Sequence, residues 1–205
     1  DGSTLVGMMQ SALQQDDLAG FDAKKLTVVR IVTYKLATGE THEYVYLLDD
    51  PIVTKTAVSE IAAITNTTFA VIERDGLFAP GAYKRIFKID ISGATDIGPA
   101  ATVAGTTYDA AKGGRLFGGK SLELTLKDQN TAASTTTLTA AGVKVVAKSL
   151  LLDVEVMIEA LDPTAKTFAH DKLEGVAVLN GGNKLVLSND NDFGINGLSD
   201  SATKP

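Results

Sequence analysis

One hairpin recurs in this chain, and a repeated hairpin limits the available folds more than any other feature of the sequence. SEIAAITNTTFAVIERDG (59–76) and LEGVAVLNGGNKLVLSNDND (173–192) both run from a glutamate through a short apolar strand, an Asn-centred turn and a second apolar strand into a polar cluster. The second copy carries two extra turn residues, and the opening DGSTLVGMMQS (1–11) matches the later half of the unit, with Gln10 standing where Glu73 and Asn189 stand. A hairpin cannot bury its apolar face alone, so copies must stack, and radial stacking of antiparallel sheets gives a β-propeller. At about 40 to 50 residues per blade, 205 residues hold roughly four blades. Most propellers close with more, so the chain reads as part of a larger one.

The remaining apolar runs agree with an all-β chain. TLVGMMQ (4–10), LTVVRIVTYKL (26–36), HEYVYLL (42–48), TFAVIE (68–73), KRIFKIDI (84–91), SLELTLK (121–127), LEGVAVL (173–179) and KLVLSND (184–190) are short, β-branched or alternating, and bounded by Gly, Asn, Asp and Pro. KRIFKIDI and SLELTLK are expected to fill a blade between the two clear hairpins. Helical periodicity is scarce: residues 143–160 read as one helix or a strand pair, and the Thr-rich TAASTTTLT (131–139) as an exposed loop or edge. DGSTL looks like a tight turn entering a strand, a hairpin without its first half, which again suggests a piece of a longer protein. Residues 1–198 are read as one domain and 199–205 as a tail.

Composition narrows the function classes. A net charge of -6, with arginine only at 30, 74, 85 and 115, argues against nucleic acid, which needs a clustered basic surface. No cysteine is present, so disulfides and thiolate metal sites are excluded. No apolar run approaches the about 18 residues of a membrane helix, and the first residues lack the basic start of a signal peptide. GRLFGGKS (114–121) fits G-x-x-x-x-G-K-[ST] letter for letter, but a phosphate loop needs a buried strand before it and a helix after it. TTYDAAK (106–112) has no apolar run, and SLELTLKDQN alternates as a strand would. The motif therefore reads as a glycine-rich turn entering a strand, with no nucleotide as partner.

Candidate chemistry sits at the strand ends of the repeats. Glu60 and Glu174 begin the inner-looking strand of their hairpins, while Glu73-Arg74-Asp75 and Asn189-Asp190-Asn191-Asp192 end the next. In a propeller such ends converge on one mouth of the channel, where carboxylates and amides make a hard-oxygen site suited to Ca²⁺ or Mg²⁺. Glu60, Glu73, Glu174, Asp190 and Asp192 are the candidate metal ligands, and Gln10, Arg74, Asn189 and Asn191 the polar channel residues. Against this stands a structural reading, in which Asp and Asn are there to turn the chain and Glu73-Arg74 to hold a blade. Other motifs fail: NDNDFG lacks the rest of a kinase signature and breaks the EF-hand register at Phe193, and His42 and His170 have no G-x-S-x-G serine.

These residues resemble the phytase-like β-propeller domain described as "esterase-like activity of phytase". The resemblance rests on LEGVAVLNGGNKLVLSNDNDFG (173–194), SEIAAITNTTFAVIERDG with AYKRIFKIDISGATD (82–96), DGSTLVGMMQSAL (1–13) and VRIVTYKLATGETHEYVYLLD (29–49), in the family's order and over most of the chain. It covers the later part of such a domain. It implies an exported bacterial protein, extracellular or periplasmic, that hydrolyses ester or phosphoester bonds with calcium; the convergence of the acidic repeat ends then suggests that their carboxylates hold the ion and Arg74 steadies substrate, with no nucleophile assigned. The alternative is a non-catalytic propeller that binds another protein or serves as a structural module. Partners implied are the remaining blades or a second chain.

Overall fold

The computed structural model describes residues 2–13, 21–78, 80–164 and 172–190. In chain order its strands are β1 (Thr4–Met8), β2 (Val28–Lys35), β3 (Thr41–Leu47), β4 (Ala57–Ala63), β5 (Thr68–Arg74), β6 (Lys84–Asp90), β7 (Thr106–Asp109), β8 (Gly114–Phe117), β9 (Ala147–Asp153), β10 (Lys172–Leu179) and β11 (Lys184–Asp190). The helices are short: α1 (Pro51–Thr54), α2 (Leu122–Leu126), α3 (Thr131–Ala140) and α4 (Val154–Leu161). The fold is all-β with antiparallel sheets and few helices. None of the described helices is long and apolar enough to cross a membrane.

The chain forms two compact units, Asp1–Val53 with Asp90–Ala147, and Thr54–Ile89 with Lys148–Pro205. In the first, β1, β2 and β3 form an antiparallel sheet in that order and β7 pairs with β8. The turn after β2 is closed by Gly39, whose φ of 71° favours a residue without Cβ and whose N–H donates to Lys35 O. Val28, Val45 and Leu47 from the sheet pack with Leu122, Leu126, Leu138 and Val143 in one apolar core.

In the second unit the sheet order is β4-β5-β6-β9, and β10 pairs with β11. Ala70 and Ile72 of β5, Ile86 of β6, Val154 and Ile158 of α4, and Leu173 and Val176 of β10 make its core. KRIFKIDI therefore extends the β4–β5 sheet instead of starting a blade of its own.

The expected strand at SLELTLK is a helix. In so short a stretch, leucines at 122, 124 and 126 satisfy a period of two and an i,i+4 face equally, and tertiary contacts decide. Ser121 Oγ accepts from Leu124 N–H at 3.1 Å as an N-cap, Leu122 and Leu126 enter the core, and Glu123 turns to Arg30. TAASTTTLT is likewise helical. Asn130 caps it, and Thr135 and Thr136 donate their hydroxyls back to the carbonyls of Thr131 and Ala132. Residues 143–160 hold neither one helix nor a strand pair: β9 ends at Asp153, whose carboxylate caps α4 by accepting from Val156 N–H.

GRLFGGKS is a tight turn, as read, but with different flanks. GRLF is strand β8, Phe117 and Lys120 exchange both backbone hydrogen bonds, and Gly118 and Gly119 between them have φ of 58° and 80°. Two successive positive φ values make a type I′ turn, which spends the Phe117 and Lys120 amides on its own closure.

Candidate functional site

The two repeated hairpins share one irregularity. Val58 faces Glu73 and Glu60 faces Ile72, so Ser59 is an extra residue in β4; Leu173 faces Asn189 and Gly175 faces Ser188, so Glu174 is the extra residue in β10. A β-bulge re-aims the side chain it carries. The repeat is thus present in three dimensions, and Glu73 and Asn189 occupy equivalent positions as the sequence suggests. Glu60 is displaced by one: its structural counterpart is Gly175, and Ser59 is the counterpart of Glu174.

Arg74 joins the two bulges. Its Nε donates to Ser59 Oγ at 2.8 Å, its Nη2 donates to Glu174 Oε1, and Nη1 reaches Asp75 O at 3.4 Å. Beside it, the fully buried Glu73 accepts from Lys148 Nζ at 2.5 Å. The same ammonium lies 4.0 Å from the centre of the Phe87 ring, so carboxylate and aromatic face together hold it. Arg74 and Lys148 keep 14% and 16% of their side chains exposed.

A second buried pair closes the ERD turn. Asp75 and Lys84 meet at 2.6 Å; Lys84 Nζ also donates to Leu77 O at 2.9 Å, and Asp75 accepts from the N–H groups of Leu77 and Tyr83. Arg85 donates to Asp153 at 2.8 Å and lies over Tyr83. In the first unit Arg30 is bound by Glu123 and Glu43, and Arg115 by the carbonyls of Ile97, Gly98 and Ala101. All four arginines are therefore committed to partners within the protein.

The structure brings together some of the sequence-predicted residues and separates others. Glu73, Arg74 and Glu174 share the polar end of the second unit. Glu60 accepts from its neighbour Ile61 N–H at 2.8 Å, Asp190 is an exposed strand end, and Gln10 is exposed in the first unit. Asn189 is unusual: both polar atoms of its amide are shielded from solvent and have no hydrogen-bond partner among the described residues. Asn191 and Asp192 lie outside the described residues, as does His170. Lys148, Ser59 and Phe87 were not singled out from the sequence. Lys148 reaches Glu73 only because β9 joins the sheet of β5, a pairing between distant segments with no local signal.

Calcium, implied by the resemblance, was tested against these donors. The ion takes about six to eight oxygens, and its carboxylates must be available to it. Here Glu73 is held by Lys148 and Glu174 by Arg74, and no group of three His, Cys, Asp or Glu side chains gathers for a metal among the described residues. The described donors do not fit the ion. His42 has acidic neighbours on both ring nitrogens, Asp96 at 2.7 Å and Glu40 at 3.1 Å, an arrangement without a serine.

A family model described as "Phytase-like: Esterase-like activity of phytase" matches residues 1–193. Neither a curated protein nor a solved structure matches the chain.

Proposed function

The chain belongs to the phytase-like family, and from that premise we propose that it is part of an exported bacterial β-propeller that hydrolyses ester bonds at the polar end of the β4–β5 and β10–β11 hairpins. The observation that carries this reading is Arg74 drawing together Ser59 and Glu174, the bulged residues of two like hairpins. Paired bulges with a partly exposed cationic rim suit a developing negative charge. Attack of water on an ester carbonyl creates an oxyanion, and prearranged donors aimed at that oxygen lower the barrier. Arg74 and Lys148 are the donors, while Glu174 and Glu73 fix their positions.

Carboxylic esters of low charge suit the site better than polyphosphorylated rings. Such a ring needs several guanidinium or ammonium groups for bidentate contact, and Arg30, Arg85 and Arg115 are bound elsewhere, which leaves Arg74 as the one guanidinium at this end. The test is hydrolysis of p-nitrophenyl acetate and p-nitrophenyl phosphate by the purified chain. Turnover of the acetate should exceed that of the phosphate and fall about 100-fold in Arg74→Gln. No turnover, or equal rates in the variant, would favour the non-catalytic reading, in which these pairs only close the hairpins and the module binds another protein.

A further inference from the structure

We propose that Lys148 and Arg74 are resident cations of this site, standing beside Glu73 and Glu174 where a divalent ion would otherwise be needed. The inference rests on the reading above only for the location of the site. The Glu73 carboxylate has no exposure, and Lys148 Nζ sits 2.5 Å from one of its oxygens with the Phe87 ring behind it. A dication at that oxygen would have to displace the Lys148 ammonium or lie against it. Among the described residues Glu73 is paired with Lys148 and Glu174 with Arg74, so each acid already has a cation beside it.

The two hairpins supply an internal comparison. Glu73 and Asn189 are equivalent by register, yet one is an acid and the other an amide. The acid occurs where β9 brings a lysine. The amide occurs in the β10–β11 sheet, which has two strands among the described residues and no counterpart of β9. A shared metal would ask for oxygen anions from both copies, whereas a lysine asks for one only where the lysine is. The charge at this position follows the lysine.

Stability and metal content, which do not depend on turnover, test this. Thermal melts of the full chain in EDTA and in calcium chloride should coincide. Lys148→Met should lower the midpoint by about 10 °C, because it strands a buried carboxylate. Glu73→Gln added to Lys148→Met should recover at least half of that loss. A wild-type midpoint that rises with calcium and no longer rises in Glu73→Gln would overturn the proposal, as would a Lys148→Met protein as stable as wild type. Should Lys148→Met not fold, native mass spectrometry of Glu73→Gln decides. Equal calcium content in variant and wild type supports the proposal, and calcium held by wild type but lost from the variant overturns it.

Discussion

Asp96 shows how a single side chain here couples fold to pH. Burial alone would raise its pKa, but hydrogen bonds from Glu43 N–H, His42 and Gly98 N–H outweigh that and hold it below the ordinary value of 3.8. A depressed acid contributes stability that is present above its unfolded pKa and lost as pH falls through the folded one. Asp96→Asn should therefore cost about 1 to 2 kcal/mol at pH 7, with the two proteins converging below about pH 4 in thermal melts. A constant gap across that range would show that the carboxylate's charge is not what matters. Glu43 has the opposite sign: burial pushes it up, against the pull of Arg30, so its ionisation costs stability as pH rises. At this scale the sequence was informative about residue type and poor about partners. Glu73, Arg74 and Glu174 were recognisable from the repeat, but nothing local marks Lys148, whose sequence separation from Glu73 is 75.

At the scale of elements, periodicity found the strands and missed the helices for definite reasons. β2, β5, β10 and β11 each carry enough alternating or β-branched residues for the pattern to rise above local noise. α2 is too short for period two and period 3.6 to differ, and α3 buries only Ser134 and Leu138, so its face hardly exists as an apolar pattern. The legible signals were the caps, Ser121, Asn130 and Asp153. Bulges left no mark on the sequence either, which is why Glu60 and Glu174 looked equivalent. Gly175, opposite Ser188 next to a bulge, gives a direct check of that register. A Cβ built there would overlap Ser188 Oγ. Gly175→Ala should cost about 1 to 3 kcal/mol, and Ser188→Ala in the same protein should remove most of the cost. Denaturant melts of the two single variants and the double variant measure this, and additive losses would contradict the register.

The chain runs through its two compact units in an interleaved order. Within the stretch read as one domain, residues 1–198, the chain forms two compact units, each assembled from two separated stretches. The family match spans both. A chain ending at Ala147 retains every residue of the first unit but loses Lys148, Val154, Ile158, Leu173 and Val176 from the second. Limited proteolysis of that fragment should spare the β2–β3 region and cut readily within residues 54–89, and uniform sensitivity would show that the first unit cannot stand without the other. Burial across such intervals also sets a schedule for synthesis. Val28 and Val45 leave the ribosome well before Leu138 and Val143, and Ala70 and Ile72 well before Leu173 and Val176, yet each set shares a core. Both cores stay open until late in translation, so the early strands must be shielded from one another while they wait.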